Sequence, residues 1–249
     1  ISNSFFGAVE SLVIDPVSAA IDVPISLLTG RRSKTFSFSM LQAEARGFVE
    51  GAKMSREIIT TGRALNATDV QMGLRKYDLN EVTFDNPILD AYTKTVFRTL
   101  FAGDKPFREM HVKGSLLEQA LTKAKNEGLV GDAYKARVKE LYSAPTDAMA
   151  TEAINTGEFR TFNNPNKFAK AITVLKRKLP TYLKIPAETV MPFTNIPTNV
   201  AARILDYTPA GLIKTIATQI NPKTRGQKAF VESLARNVTG TGVITLGYI

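Results

Sequence analysis

The sequence predicts an all-α protein: a multi-helix bundle, extended or irregular in outline, with short proline-capped connections. Three observations predict it. Apolar residues recur at three- and four-residue spacing along most of the chain. Polar residues stand directly before proline at Asn86-Pro87, Asn164-Pro165, Thr208-Pro209 and Asn221-Pro222, with Ile196-Pro197 continuing the series. That pattern opens helices, because the polar side chain caps and proline's missing N–H costs nothing in the first turn. Strand-like alternation is confined to residues 34–39, too short and isolated to build a sheet.

The elements follow in order. Residues 40–59 place Leu41, Phe48, Met54 and Ile58 on one side of a helix. Asn86-Pro87 opens a second, with Leu89, Tyr92, Val96, Phe97 and Leu100 among its apolar positions and Gly103 as the expected stop. Asp104 and Pro106 begin a third, through Leu116, Leu117, Ala120, Leu121 and Ala124 to about Gly128. Residues 131–142 form a short helix with Tyr134, Val138 and Leu141 inward, and Pro145 starts another that ends around Gly157. Residues 79–85 read as irregular loop.

In the last third, helices are expected to start near Asn164, Pro197, Pro209 and Pro222. Residues 185–202 hold Pro186, Pro192 and Pro197 and one charge, Glu188, so they read as an apolar, broken connector. Residues 237–249 carry no charge and are rich in Gly and Thr. They are too short to cross a hydrocarbon layer of about 30 Å. Two readings stand: the first half of a membrane helix continuing past Ile249, or a terminal helix docking on the core or a neighbouring subunit. The chain runs from Ile1 straight into an apolar stretch and ends inside another, which suggests the ordered part of a longer polypeptide, with a processed terminus as the alternative. No basic region precedes the first apolar run, and Glu10 and Asp15 interrupt it, so no signal peptide is expected.

Composition bounds the chemistry. The 249 residues are 44% hydrophobic and 22% charged, as in a folded protein of one large or two small domains. The absence of cysteine excludes disulfides, a cysteine nucleophile and thiolate metal sites. A single histidine, His111, excludes a multi-histidine zinc site. The net charge of +9 is uneven. Residues 1–159 hold 19 Lys/Arg and 20 Asp/Glu, whereas residues 160–249 hold 13 Lys/Arg and only Glu188, Asp206 and Glu232 as acids. The chain is therefore divided into a near-neutral helical region, 1–159, and a basic helical region, 160–249, leading into an apolar C-terminal segment. Lys167, Lys170, Lys176, Arg177, Lys178 and Lys184 are the residues expected to face DNA or anionic lipid. A plainer role for Lys176-Arg177-Lys178 is to close a helix and complement its dipole.

No catalytic residue, metal ligand or cofactor site is expected in this segment. His111 lies in a helical span and reads as structural. Phosphate-loop, nucleophile-elbow, zinc and calcium-loop motifs are absent, and Gly240-Thr-Gly is too short to cradle a phosphate. Glu118 with Glu127, or Asp147 with Glu152, would be carboxylate pairs, but acids on helix surfaces are expected to be solvated. Any enzymatic activity would lie elsewhere in a parent chain.

The passage from Pro186 to Gly211 carries Pro192, Phe193, Pro197, Asn199, Pro209 and Gly211 in a distinctive order: proline, aromatic, a short polar step, Pro-x-Asn opening a helix, then Thr-Pro-x-Gly. With Gly226-Gln-Lys-Ala-Phe and Leu234-Ala-Arg-Asn-Val-Thr-Gly-Thr-Gly it resembles a segment of the large polyvalent and internal virion proteins of short-tailed bacteriophages, which are ejected with the genome. The resemblance implies a structural protein, stored in the capsid and then placed in the host envelope and periplasm. Copies would form a ring or tube with other ejection proteins, pass double-stranded DNA without reading its sequence, and touch the host membrane through residues after Asn237. The alternative is a non-catalytic nucleic-acid- or partner-binding domain of a large multi-domain phage virion enzyme.

Overall fold

A computed structural model describes residues 2–62, 87–163, 195–220 and 226–247. The protein is all-α, with no strand among the described residues. In chain order they form α1 (Ser2–Val9), a π-helical turn (Glu10–Ile14), α2 (Asp15–Thr29), α3 (Phe38–Thr61), α4 (Pro87–Asn126), α5 (Gly131–Ser143), α6 (Asp147–Arg160), α7 (Asn195–Asp206), α8 (Pro209–Ile220) and α9 (Gln227–Gly247). The punctuation at Pro87 and Pro209 falls at helix starts, and Pro197 lies in the first turn of α7. The starts expected near Asn164 and Pro222, the loop 79–85 and residues 185–194 lie outside the described residues.

The chain divides into two compact units: Ile1–Ala8 with Thr35–Thr161, and Val9–Lys34 with Phe162–Ile249. The first contains 17 Lys/Arg and 17 Asp/Glu and is called the neutral unit; the second contains 15 and 6 and is called the basic unit. The charge-based division after residue 159 lies close to the Thr161/Phe162 boundary, but residues 9–34 join the C-terminal residues.

The neutral unit is built on α4, a single 40-residue helix. The expected stop at Gly103 and restart at Pro106 do not occur. Pro106 has no N–H to offer the carbonyl of Ala102, and that carbonyl instead accepts the Ser55 hydroxyl at 2.6 Å. Room for the interrupted turn comes from Gly51 on α3, where a Cβ would lie 2.6 Å from the Pro106 Cα. This close approach also moves the buried face of α3. Met40, Ala43, Glu44, Gly47, Gly51 and Ile58 are inside, whereas Phe48, expected inside, is exposed and meets Phe107 edge-on at 5.4 Å. Backbones this near each other require small residues between them, so the large ones move to the flank.

The other side of α4 carries an ordinary core. Val112, Leu116 and Ala120 meet Leu141 of α5 and Met149, Ala153 and Ile154 of α6, with Val138 and Tyr142 packed against them. Thr146 caps α6 by accepting from the Met149 N–H. The helix continues past the expected end at Gly157 to Arg160. Gly157 serves packing rather than termination, since a Cβ there would come 2.8 Å from Val112 Cγ2.

In the basic unit, residues 237–247 form the C-terminal half of α9 and are not a separate segment. The strand-like alternation at residues 34–39 makes no strand, for no partner strand exists among the described residues. Its backbone and polar side chains bond to helices instead. The Lys34 N–H bonds the Asp22 carboxylate in the basic unit, and Ser37 caps α3 in the neutral unit.

Candidate functional site

The apolar run Phe6–Thr29 is long and apolar enough to cross a membrane by length and composition. It nevertheless carries Glu10, Asp15 and Asp22, and all three are buried in the basic unit. In an unbroken α-helix, five residues turn the chain about 140° away from its starting face. Here the π turn lets the Asp15 N–H bond the Glu10 carbonyl, which sets Asp15 above Glu10. Asp22 follows seven residues later, two helical turns on, so one extra residue aligns three carboxylates into a stripe.

Each carboxylate is matched. Glu10 accepts from Arg203 Nη1 at 2.8 Å, from Arg236 Nε at 2.7 Å and Nη2 at 3.0 Å, and from the Tyr207 hydroxyl at 3.0 Å. Burial pulls the Arg203 guanidinium down to about 10 against the opposing pull of Glu10, and it remains a cation at neutral pH. Burial would lower Arg236 as well, but Glu10 and Glu232 outweigh it and hold its proton more tightly than usual. Burial, reinforced by the Glu10 charge, pushes the Tyr207 hydroxyl up, so it stays a donor. Arg203 also lies over the Phe162 ring, 5.6 Å from its centroid.

The second carboxylate, Asp15, pairs with Lys34 Nζ at 3.0 Å, and Lys34 reaches Glu232 Oε1 at 2.7 Å. Burial alone would raise Glu232, but Lys34, Lys228 and Arg236 outweigh it and hold the carboxyl well below the usual carboxylate range. The third, Asp22, accepts from the Ser33 hydroxyl, the Ser33 and Lys34 N–H groups and Gln227 Nε2, with Arg32 Nε 3.0 Å away. These bonds overcome the upward pull of burial and lower its pKa. Buried charges persist only when paired and bonded in this way.

The helices around the network share its polarity. On α7 the buried positions are Asn199, Arg203 and Asp206, one face at i, i+4 and i+7, while Ile204 and Leu205 are exposed. On α8, Gly211 and Thr215 are inside. There the apolar stripe Ile213, Ile216 and Ile220 is 72, 54 and 76% exposed. On α9, Val231, Ala235, Arg236 and Asn237 are inside, and Val238, Val243, Ile244 and Leu246 are outside. Thr215 bonds the Ser233 hydroxyl and accepts from Asn237. A Cβ at Gly240 would overlap the Tyr207 carbonyl oxygen, so glycine is required where α9 crosses the α7–α8 turn. Helical periodicity is intact, but on α7 and α8 the enclosed face is polar and the exposed face apolar, and on α9 Arg236 and Asn237 share the enclosed face with Val231 and Ala235.

Lys167, Lys170, Lys176, Arg177, Lys178 and Lys184, together with Pro192 and Phe193, lie outside the described residues. Of the remaining motif residues, Pro209 opens α8, and Gly211 packs where a Cβ would meet the Leu205 and Asp206 carbonyls at 2.8 and 2.9 Å. Asn199 donates to the Phe162 carbonyl at 2.8 Å, holding a residue whose φ of 62° is unusual for a phenylalanine. In the neutral unit, His111 is fully buried with Nδ1 3.6 Å from Glu44 Oε1. Glu118 is buried, not solvated as expected, because the face of α4 that carries it is covered. Arg137 binds Glu127 through two hydrogen bonds, at 2.8 and 3.0 Å, and Asp147 and Glu152 are exposed.

Sequence reasoning missed Glu10, Asp15, Asp22, Lys34, Arg203, Tyr207, Glu232 and Arg236 as a group. The available signal was three acids in an apolar helix, which the chain cannot bury without cations elsewhere. The groups of the network are engaged with one another. What it presents outward is apolar surface on a positively charged body. Among the described residues no cluster of His, Asp or Glu is arranged to hold a metal ion. No protein family, curated protein or solved structure matches the chain.

Proposed function

We propose that the chain is a structural bacteriophage virion protein, ejected with the genome, whose copies assemble into a conduit for DNA across the host envelope. The observation that carries this reading is the segregation of charge: the basic unit contains 15 Lys/Arg against 6 Asp/Glu, and the neutral unit is balanced. A conduit needs one surface that tolerates phosphate without gripping it, and a spread positive charge suits transit better than a tight clamp. The buried network engages Arg32, Lys34, Arg203 and Arg236, four of the fifteen Lys/Arg of the basic unit. The proposed partners are other copies of the chain, other ejection proteins and double-stranded DNA of any sequence.

Duplex binding measured against salt tests this. The full chain is expected to bind unrelated duplexes equally and weakly, with log affinity falling linearly with log salt. Replacing Lys176, Arg177 and Lys178 with glutamine should flatten that slope by up to about three, at about 0.9 per phosphate contact. A base-specific footprint, or no DNA binding at low salt, would overturn the proposal.

A further inference from the structure

We infer that the basic unit docks on anionic lipid bilayers, seating the outward apolar faces of α2, α8 and α9 among the acyl chains. In a helix that packs in water, the apolar stripe faces the core. In this unit the spacing survives, but on α7 and α8 the polarity is reversed, and on α9 charged and polar groups share the enclosed face with Val231 and Ala235. Ile213, Ile216 and Ile220 of α8, Val243, Ile244 and Leu246 of α9, and Leu27 and Leu28 of α2 are exposed, while Asn199, Arg203, Thr215 and Arg236 are enclosed. An apolar surface of this kind marks a binding face. The inward polar groups bring their own counter-charges, Glu10 for Arg203 and Arg236 and Asp15 for Lys34. The unit can therefore enter a low-dielectric boundary without leaving a buried charge unmatched.

Charge decides the occupant. A second copy would bring the same net positive charge, and duplex DNA offers phosphate but no hydrocarbon. An anionic bilayer offers both, with headgroups for the Lys/Arg excess and acyl chains for the isoleucines and leucines. This inference does not rest on the DNA-conduit reading.

Vesicle flotation of the full chain tests it, with phosphatidylcholine alone and with phosphatidylcholine mixed with phosphatidylglycerol. The wild type is expected to float with the mixed vesicles and to be released as salt rises. Replacing Ile213, Ile216 and Ile220 with serine should weaken that binding roughly tenfold or more. Circular dichroism, the thermal midpoint and DNA anisotropy should be unchanged, which separates this result from failure of the DNA reading. If the triple variant loses helix, Leu27→Ser with Leu28→Ser repeats the test at the exposed end of α2. Wild type that does not float, or serine variants that float as well as wild type, would overturn the inference. So would a wild-type dimer, detected by light scattering, that the serine changes turn into monomer, because a second copy would then cover this face.

Discussion

The neutral and basic units are both helical and both bury charged side chains, yet they differ in what else fills the interior. In the neutral unit, Val112, Leu116, Leu141, Met149 and Ile154 come out of water together, and the hydrophobic effect orders α4, α5 and α6. In the basic unit, Glu10 gathers Arg203, Arg236 and Tyr207, and Lys34 joins Asp15 to Glu232. The first arrangement gains from leaving water. The second gains little by burial, since desolvation offsets much of the ion pairing, but it fixes a single arrangement of charges and leaves apolar surface outward.

The largest effect that would sharpen this contrast is at Glu10. Glu10→Gln removes the carboxylate that Arg203 and Arg236 share, leaving Arg236 only the more distant Glu232, and should cost about 3–5 kcal/mol. Hydrogen exchange is expected to show lost protection in α7 and α9, with α5 and α6 unchanged. Equal loss in both units would break the comparison.

A smaller effect is expected at Ser55 in the neutral unit. Ser55→Ala leaves the Ala102 carbonyl without its hydroxyl donor where Pro106 removed the helical one, costing about 1–3 kcal/mol. Chemical denaturation should report that cost, and amide exchange should place it around Pro106. An unchanged midpoint would mean that the proline turn needs no support from α3.

The smallest effect is acid sensitivity. Asp22 and Glu232 have pKa values depressed in the folded protein. Their contribution to stability is therefore complete above the ordinary carboxylate range and is lost as pH falls below about 4. On acidification the basic unit should lose amide protection before the core around Leu116 and Ile154 does. The reverse order would show that the carboxylate stripe is not what holds the basic unit.

Much of the fold was legible because helix signals are local. Pro87 and Pro209 start helices where their caps predict, and Leu141 and Val138 pack as their spacing requires. The misread positions share one cause. Pro106 and Gly157 are helix breakers by local propensity, and each was overruled by contacts distant in sequence: Ser55 at the freed carbonyl and Gly51 beside Pro106, and Val112 against Gly157. The face of α3 was misread for the same reason, since pattern alone favours Phe48 over Gly47 and Gly51.

For the candidate site, the sequence by itself determined the composition: a chain without thiols, with one histidine, whose cation excess lies mostly in its last third and whose N-terminal helix carries three acids. Only the tertiary structure decided what those charges do. A helical period reveals that a residue belongs to a face but not whether the face points in or out, because hydrophobicity alone assumes water on one side. The π turn at Glu10–Ile14 aligns Glu10 with Asp15, and partners about two hundred residues away make burial of these carboxylates affordable. Coulomb attraction between groups so far apart in sequence acts only once the chain has folded them together, which is why the inward turn of the charges was invisible until then.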